Sequence, residues 1–302
     1  MLGRYPITPI EAVGMLANLA LPIDPFWTSQ QETLFFQVRL PRILATAGAA
    51  YQGTFQNPLV SPDILGASQG AAFGAAVAIL LGLGSLGISL FAFACSIAAV
   101  LLVLAVGTRA KGNHLLIVVL AGVMVSSLFQ AGVSFTKLIA DPTDQLAAIT
   151  YWLMGSLTGA KWSDMAFALP PIAIGLAALF ALRWRINVLT MGDDEASTMG
   201  VNARRVRLIV ILAATLVTAA SVSISGMIGW VGLVIPHFAR MIVGCDYRKL
   251  LPASMLMGAS FLLIVDDVAR LVASSEIPIG ILTAFVGAPF FLYLITRRKQ
   301  GL

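Results

Sequence analysis

Charged side chains are scarce in this sequence. Asp, Glu, Lys and Arg together make up only 11% of the 302 residues, whereas 59% are hydrophobic and the mean hydropathy is +0.92. A water-soluble domain has about 25% charged residues. Because so few charges cannot cover a surface that faces water, the composition excludes an ordinary soluble domain. We expect lipid to surround most of the chain.

Cysteine and histidine are scarce as well. The chain contains only Cys95, Cys245, His114 and His237, without the spacing of a zinc site or a disulfide framework. We therefore expect no metal site and no cofactor. The net charge is +5, but the basic residues lie in short loops between apolar runs. This pattern is typical of the cytoplasmic face of a membrane protein, so we expect contact with membrane lipid and no nucleic-acid partner.

Two familiar enzyme motifs are missing. The sequence contains no G-x-x-x-x-G-K-[ST] phosphate-binding loop and no H-E-x-x-H zinc-protease motif. The chain therefore cannot hold ATP in the familiar way, and we expect it not to be an enzyme. Its start, MLGRYPITPIEAVGML, also lacks the basic segment and apolar core of a cleavable signal peptide.

Long apolar runs are abundant. A membrane-spanning helix needs about 20 mostly apolar residues. Within 206–244, Gly226, Gly229 and Gly232 are expected to break one long run into two, and Pro236 adds a second weak point. No long linker divides the chain, so we predict an all-α, polytopic membrane protein with a single transmembrane domain over 1–302. The nine predicted spans are 41–57, 64–83, 86–107, 115–140, 163–183, 206–226, 230–244, 251–272 and 281–296.

The link FQNPLVSPD (55–63) joins the first two predicted spans. Its two prolines and its asparagine prevent a continuous helix. Irregular backbone is tolerated at membrane depth only where it is buried in protein or lines a water-filled cavity. We expect a re-entrant segment that lines a path through the protein, or else a link that lies at the membrane interface.

The distribution of Lys and Arg predicts the orientation. When residues 1–38 are placed outside as an amphipathic segment, most of the 19 basic residues fall in inside loops. This bias favours a cytoplasmic C-terminus. Nine spans then require an outer N-terminus. Either this segment crosses the membrane unaided, or an earlier helix is missing from the chain.

Three glycines share one face of the second predicted span. Gly66, Gly70 and Gly74 are spaced by four residues, which lets helix backbones approach closely in a membrane. We favour helix packing for this stripe over a direct contact with a transported substrate.

The most polar stretch of the chain is LTMGDDEASTMGVNARRVR (189–207). Asp193, Asp194 and Glu195 suit the positive end of a helix dipole, and Gly200 suits its end. We predict a short cytoplasmic helix within 189–204 that serves as a docking piece. The alternative is an ordinary solvated loop.

Two acidic residues lie inside an apolar run. Asp266 and Arg270 are four residues apart and can pair on one helix face, with Asp267 beside them. Intramembrane ionisable residues are rare and usually functional. We keep open an internal ion pair near the outer interface and an ion-coupling role. A proton relay through His114 or His237 is the less favoured alternative to a structural role.

Six stretches in register resemble one family. They match the membrane subunits of binding-protein-dependent ABC importers for iron chelates, haem and cobalamin. The stretches are RLPR (39–42), QNPLVSPDILGASQGAAFGA (56–75), YWLMGSL (151–157), LTMGDDEASTMGV (189–201), GWVGLVIPHFARMIVGCDYRKLLPAS (229–254) and EIPIGILTAFVGAPFFLYLI (276–295).

The resemblance implies an architecture and partners. It implies a homodimer around one pore, two copies of a separate ATPase, and a soluble binding protein that delivers the substrate. The location would be the inner membrane of a prokaryote. The family's pattern has ten helices, and its first helix has no counterpart before GRYPI (3–7) in this chain. We therefore expect nine.

The resemblance also implies roles for individual residues. It implies that the binding protein contacts Arg39, Arg42 and Arg270. Their planar guanidinium groups suit bidentate pairing with carboxylates. It implies that the inner gate of the pore includes the segment Asn113, His114, Leu115 and Leu116. It also implies that the ATPase contacts Gly192, Asp193, Ala196 and Gly200.

The expected function is that of an importer permease. Its cargo is expected to be a metal chelate, first an iron–siderophore complex or haem, with cobalamin or a molybdate-type oxyanion as alternatives. A rival hypothesis is an ion-coupled secondary transporter or a channel that acts without an ATPase. It would need a buried chain of acids or histidines, for which Asp266 and Asp267 offer the main support.

Overall fold

The computed structural model describes residues 44–109, 114–156, 162–272 and 277–297. Within these ranges the chain forms α-helices and one 3-10 helix (Pro62–Leu65), and no strand. This confirms the all-α prediction. The α-helices are α1 (Leu44–Thr54), α2 (Ala67–Leu80), α3 (Ser85–Arg109), α4 (His114–Ile139), α5 (Gln145–Met154), α6 (Trp162–Leu189), α7 (Asp193–Thr198), α8 (Ala203–Ser225), α9 (Val231–Val243), α10 (Tyr247–Val272) and α11 (Ile279–Arg297).

Long apolar helices dominate the fold. Helices α3, α4, α6, α8 and α10 each contain a stretch long and apolar enough to cross a membrane. Helices α2, α9 and α11 are shorter but also apolar, and α1 has 11 residues. Each of the nine predicted runs therefore corresponds to a helix in the described part of the chain. That all nine cross the membrane stays a prediction.

Helices α1 and α8 lie at the centre of the bundle. In the apolar window of α8, 72% of the residues are buried, against 28–39% in the other four long helices. The Tyr51 hydroxyl of α1 lies 2.7 Å from Thr215 Oγ1 of α8, and both side chains are buried. A protein-facing helix in the middle of a membrane bundle needs such internal partners for its polar groups.

One helix was not predicted. Helix α5 lies between the fourth and fifth predicted spans, in a region that we expected to be an outer loop. Its Gln145 side chain donates to Leu80 O at 3.2 Å, and its Ile149 is buried in a small cluster with Ala76 and Ala140. The helix is too short to give a spanning signal, and packing against α2 stabilises it.

One helix boundary and two predicted weak points differ from the prediction. Helix α6 continues through Arg183 and Arg185 to Leu189, because a helix can extend past the apolar layer once its side chains reach water. Helix α8 ends at Ser225, and Gly226 and Trp230 adopt positive φ, so the expected break is present. However, Gly232 and Pro236 both lie inside the continuous helix α9.

The irregular link between α1 and α2 lies at membrane depth. The carbonyl oxygen of Ile64 packs against Gly122, so closely that a side chain at Gly122 would collide with it. Gly122 is eight residues into α4, which is about 12 Å along that helix. A Cβ at Gly232 would lie 3.0 Å from Pro62 on the other side of the link. The 3-10 helix is therefore enclosed between α4 and α9, well inside the bundle.

Candidate functional sites

The predicted docking helix is present as α7. Gly192 precedes it with a φ of 123°, and Gly200 follows it with a φ of 74°, conformations that favour glycine. Ala196 is completely buried and its carbonyl oxygen accepts a hydrogen bond from Val201 N at 2.9 Å. The side chains of Asp194 and Glu195 are exposed. The segment is thus a short helix with a glycine on each side, and the side chains of Asp194 and Glu195 are exposed on its surface.

An ion pair holds this helix to the centre of the bundle. Arg207 of α8 is buried, and its guanidinium donates to both carboxylate oxygens of Asp193, at 2.7 and 3.2 Å. Its Nε also donates to Thr54 O at the end of α1, at 3.3 Å. Bidentate pairs of this kind fix geometry as well as adding stability. One arginine therefore connects α1, α7 and α8.

Sequence reasoning missed the role of Arg207. We counted it only as one of several basic residues that favour a cytoplasmic loop. The available signal was its position, one helical turn inside an apolar helix, where an arginine requires a partner. The acidic residue that provides this partner lies 14 positions earlier in the chain.

Further polar contacts join the helix ends on the same side. Gln56 donates to Leu189 O at 2.5 Å, which ties the irregular link to the end of α6. Arg240 of α9 donates to Gln52 Oε1 of α1 at 2.9 Å. These contacts connect the α7 region with the helices that flank the link.

The short connection between α9 and α10 is also tightly bonded. Asp246 accepts hydrogen bonds from the Arg248 side chain, the Arg248 N–H and the Asn187 side-chain amide. The pKa of Asp246 is lowered below its ordinary value of 3.8, chiefly by the hydrogen bond from the Arg248 side chain. Asn187 Oδ1 in turn accepts from Tyr247 N at 2.7 Å. The connection is therefore fixed to α6 by an ionised carboxylate and an amide.

A cavity of about 720 Å³ lies beside the 3-10 helix. It is lined by residues of α2, α5, α11 and the segment before α9. Apolar side chains form most of its wall, including Met154, Phe285 and Pro289. Its polar groups are at the end of the irregular link and the start of α2. They are Asp63, Ser68 and Gln69.

Asp63 is the one formally charged side chain among the described residues that line this cavity. Its carboxylate accepts hydrogen bonds from the hydroxyl of Ser68 and, at 3.5 Å, from that of Ser61. The side chain is exposed to the cavity rather than enclosed in the bundle. An irregular backbone with an acidic side chain at membrane depth is the expected signature of a polar path.

A second cavity of about 490 Å³ lies between α3, α5, α6 and α8. Asp164 lines it and is only 3% exposed. Its carboxylate accepts a hydrogen bond from Ser85 Oγ at 2.6 Å, which joins the first turn of α6 to that of α3. Charged hydrogen bonds of this kind at buried positions chiefly hold elements in register.

The glycine stripe has two different surroundings. A Cβ at Gly70 would lie 2.5 Å from Cys95 O and 2.8 Å from Ala99 Cβ, and Gly74 is equally close to the backbone of Phe91. Both positions therefore pack directly against α3. Gly66 lies outside α2, where it adopts a φ of 79° at the turn after the 3-10 helix. It does not belong to the helix face that the spacing suggested.

Several predicted site residues fall at the limits of the described chain. Arg39, Arg42 and Asn113 lie outside the described residues. Arg270 belongs to α10 and His114 begins α4, but neither side chain is described. Leu115 and Leu116 form the first turn of α4, with Leu116 58% exposed. The roles of these residues in docking and gating stay predictions.

Asp266 is buried within α10, at 5% exposure, and Asp267 is partly buried. Because the side chain of Arg270 is not described, the predicted pair between Asp266 and Arg270 stays a prediction. Among the described residues no three His, Cys, Asp or Glu side chains are close enough together to hold a metal ion.

The stretch Gly66 to Gly70 has the spacing G-x-S-x-G of a serine-hydrolase nucleophile, which our sequence analysis did not note. In those enzymes the serine lies at a sharp turn between a strand and a helix. Here the preceding element is a 3-10 helix, and the hydroxyl of Ser68 donates to Asp63. The geometry is that of a helix start and offers no activated serine.

Comparison with known proteins decides the family. A model of the FecCD transport family matches residues 1–297. The chain belongs to the FecCD transport family. It is therefore a multi-pass transport permease of the ABC importer type, as the six sequence stretches indicated.

Individual relatives agree with this assignment. The molybdate import system permease protein MolB of Haemophilus influenzae is 39% identical over 312 residues, with 99% of this chain and 91% of that protein covered. The cobalamin import system permease protein BtuC of Halobacterium salinarum is 43% identical over 272 residues, with 87% and 73% covered. A solved structure described as an inward-facing conformation of a putative metal-chelate type ABC transporter is 39% identical, with a TM-score of 0.80, and 95% of this chain and 97% of that chain are covered.

Proposed function

We propose that this FecCD-family chain is the permease subunit of an ATP-driven, binding-protein-dependent importer. Two copies would form one pore, and two ATPase subunits would bind on the side of α7. ATP binding and hydrolysis would move α7 and switch the pore between outward-open and inward-open packings. A symmetric dimer is what a single pore on a two-fold axis requires.

The observation that carries this proposal is the connection of α7 to the bundle. A short helix with exposed acids is useful as a docking piece only if its movement reaches the transmembrane helices. Arg207 supplies that connection, because it bonds Asp193 of α7 and the carbonyl oxygen of Thr54 in α1. Force applied to α7 would thus reach the two central helices directly.

The remaining roles follow from this assignment. Arg39, Arg42 and Arg270 would meet acidic residues on the two lobes of the binding protein. The segment 113–116 would contribute to the inner gate. The chain would form a single domain over 1–302 in the inner membrane of a prokaryote, with α7 and the C-terminus in the cytoplasm, as the distribution of basic residues favours.

We propose a metal chelate as the cargo, with an iron–siderophore complex or haem first and cobalamin next. The cobalamin permease supports a chelate, and so does the solved neighbour that is described as a putative metal-chelate type transporter. The molybdate permease keeps an oxyanion as an alternative. The mostly apolar wall of the larger cavity suits weak passage, with selection left to the binding protein.

Co-purification tests the proposal. The detergent-extracted chain should retain an ATPase subunit when the two are co-expressed, and Gly200→Trp should lose it because a bulky side chain would occupy the docking surface. The matched control is Gly82→Trp, since Gly82 also has a positive φ and open space around it but lies in the turn between α2 and α3. Failure of the unaltered chain to retain an ATPase would refute the importer hypothesis.

The rival hypothesis of an ion-coupled transporter would rest on Asp266, which is buried. That hypothesis predicts that an ion gradient drives substrate transport in the absence of any ATPase. It also predicts that Asp266→Asn abolishes this transport. An importer instead loses all transport when the ATPase is removed.

A further inference from the structure

Four exposed arginines lie on the two helices that flank α7. Two are in the last two turns of α6, which leads into α7, and two are in the first turn of α8, which follows it. Within the described part of the chain, none of their side chains has an ion pair or a hydrogen bond. We call them the arginine cluster: Arg183, Arg185, Arg204 and Arg205.

The packing of α6 on α8 brings the arginine cluster to one level of the bundle. A Cβ at Gly175 of α6 would lie 2.6 Å from Ala213 O and 2.7 Å from Val217 Cγ2 of α8, so the helices touch at this point. From there, Arg185 and Arg205 each lie about 15 Å towards α7, at a rise of about 1.5 Å per residue. Long side chains at one level of two adjacent helices can reach the same ligand.

Exposed apolar side chains accompany the arginine cluster. Trp184 stands between the two arginines of α6, and Leu208 and Ile209 are exposed on α8 about one turn from the arginines of that helix. Tryptophan is enriched where helices leave the bilayer, and arginine can lay its stem along apolar surface while its charged group stays in a polar layer. This combination indicates the boundary between membrane and water.

Other arginines on this side of the bundle have partners within the protein. Arg207 and Arg248 each pair with an aspartate, and Arg240 donates to a glutamine. Arginine keeps its charge at all physiological pH values. The arginine cluster therefore offers four permanent positive charges to an anion from outside the chain.

Charge argues against an ATPase subunit as the source of that anion. The exposed acids of α7, Asp194 and Glu195, would suit a basic surface on a partner protein. The arginine cluster beside α7 would repel such a surface. A phospholipid with an anionic headgroup suits the cluster better, because its acyl chains would also cover Trp184, Leu208 and Ile209.

We infer that the arginine cluster binds the phosphate headgroup of an anionic phospholipid. Guanidinium groups suit bidentate pairing with phosphate, and basic sites between transmembrane helices bind such headgroups. The inference goes beyond the proposed function and takes from it only the cytoplasmic place of α7, which puts the lipid in the inner leaflet. A lipid bound there would join α6 to α8 at the base of α7.

Native mass spectrometry of the full chain measures this binding. Phosphatidylglycerol and phosphatidylcholine with the same acyl chains would be titrated onto delipidated protein in a neutral detergent. The unaltered chain should bind phosphatidylglycerol more tightly. One variant combines Arg183→Gln with Arg185→Gln, and the other combines Arg204→Gln with Arg205→Gln. Each should weaken phosphatidylglycerol binding at least tenfold, since each basic residue near an anionic lipid contributes about fivefold.

The matched control combines Arg109→Gln with Lys249→Gln. These exposed residues lie at the end of α3 and in the first turn of α10, outside the arginine cluster. The control removes two positive charges, as each cluster variant does, and should leave phosphatidylglycerol binding unchanged. An equal loss in the control would mean that diffuse positive charge attracts the lipid, which would overturn the inference. Melting temperatures of all variants establish that they fold.

A lipid with brominated acyl chains locates the binding site. Brominated phosphatidylglycerol should quench the fluorescence of Trp184, measured as the part of the signal that Trp184→Phe removes. Brominated phosphatidylcholine should quench it less, and both cluster variants should remove this difference. Equal quenching of Trp184 by the two lipids in the unaltered chain would contradict the inferred site.

Retention of a co-expressed ATPase separates this inference from the proposed function. Cluster variants that keep phosphatidylglycerol binding but lose the ATPase would assign the arginines to the ATPase and overturn the lipid site. An unaltered chain that binds phosphatidylglycerol with the expected selectivity but retains no ATPase would support the lipid site and refute the importer.

Discussion

At the scale of single residues, a few charged side chains determine how the bundle is connected on one side. Arg207 is buried and is held by Asp193, whereas the carboxyl group of Asp63 lines a cavity. Sequence reasoning identified Asp193 by its place in a polar stretch. It did not identify the roles of Arg207 or Asp63, because the contacts of Arg207 and the cavity beside Asp63 involve distant parts of the chain.

We predict that Asp193→Asn lowers the stability of the protein by about 2 kcal/mol, since a buried guanidinium loses its charged partner although Asp193 itself is half exposed. The melting temperature in detergent should fall measurably. Asp194→Asn is the matched control, because this neighbouring carboxylate is exposed and has no described ion pair. Equal melting temperatures for the two variants would mean that the ion pair contributes little.

Ser85→Ala should also be destabilising, by about 1–3 kcal/mol, because the buried carboxylate of Asp164 loses a donor that no solvent replaces. Thermal melting measures this effect. The control is Ser134→Ala, since that exposed hydroxyl bonds only a carbonyl of its own helix. If both variants melt alike, water must reach the second cavity and satisfy Asp164.

The connection between α9 and α10 should confer a pH dependence on stability. Because the pKa of Asp246 lies below its ordinary 3.8, the folded protein binds this proton less tightly than the unfolded chain does. The carboxylate therefore stabilises the fold above the ordinary pKa, and this contribution is lost as the pH falls below about 4. Asp246→Asn should flatten the acid side of a plot of melting temperature against pH. A plot that keeps its slope would assign the acid sensitivity to other carboxylates.

At the scale of helices, apolar length predicted the bundle but not the ten-residue helix α5. Each predicted run became a helix, because lipid leaves the backbone no alternative partner for its hydrogen bonds. Helix α5 was missed because ten residues give no spanning signal. Its stability comes from contacts with α2 that the sequence does not display. The place of Gly66 was also missed, since spacing alone cannot distinguish a helix face from the turn that precedes the helix.

The close packing of α2 on α3 gives a prediction for the helix pair. Gly70→Val should prevent correct assembly or lower the melting temperature strongly, because its side chain would meet the carbonyl of Cys95 and the Cβ of Ala99. Gly84→Ala is the control in the turn between the same two helices, where a Cβ meets nothing within 4 Å. A normally folded Gly70→Val protein would show that α2 and α3 can separate without cost.

At the scale of the whole molecule, family membership and helical architecture were available from the sequence, and the internal connections were not. Six stretches in register indicated the family from the sequence alone. The path from α7 through Arg207 to α1 and α8 depends on contacts between residues up to 153 positions apart. The same is true of the cavity, whose wall combines the link before α2 with α5 and α11.

The central claim is that ATP hydrolysis on a partner subunit drives transport through this chain. The most direct measurement is uptake into proteoliposomes that contain the chain, its ATPase and its binding protein. An iron hydroxamate chelate, haem, cobalamin and molybdate would be tested as labelled substrates. The account predicts uptake of one substrate that requires ATP, survives collapse of the ion gradients and is abolished by a hydrolysis-deficient ATPase. Uptake that continues without the ATPase and follows an ion gradient would contradict it.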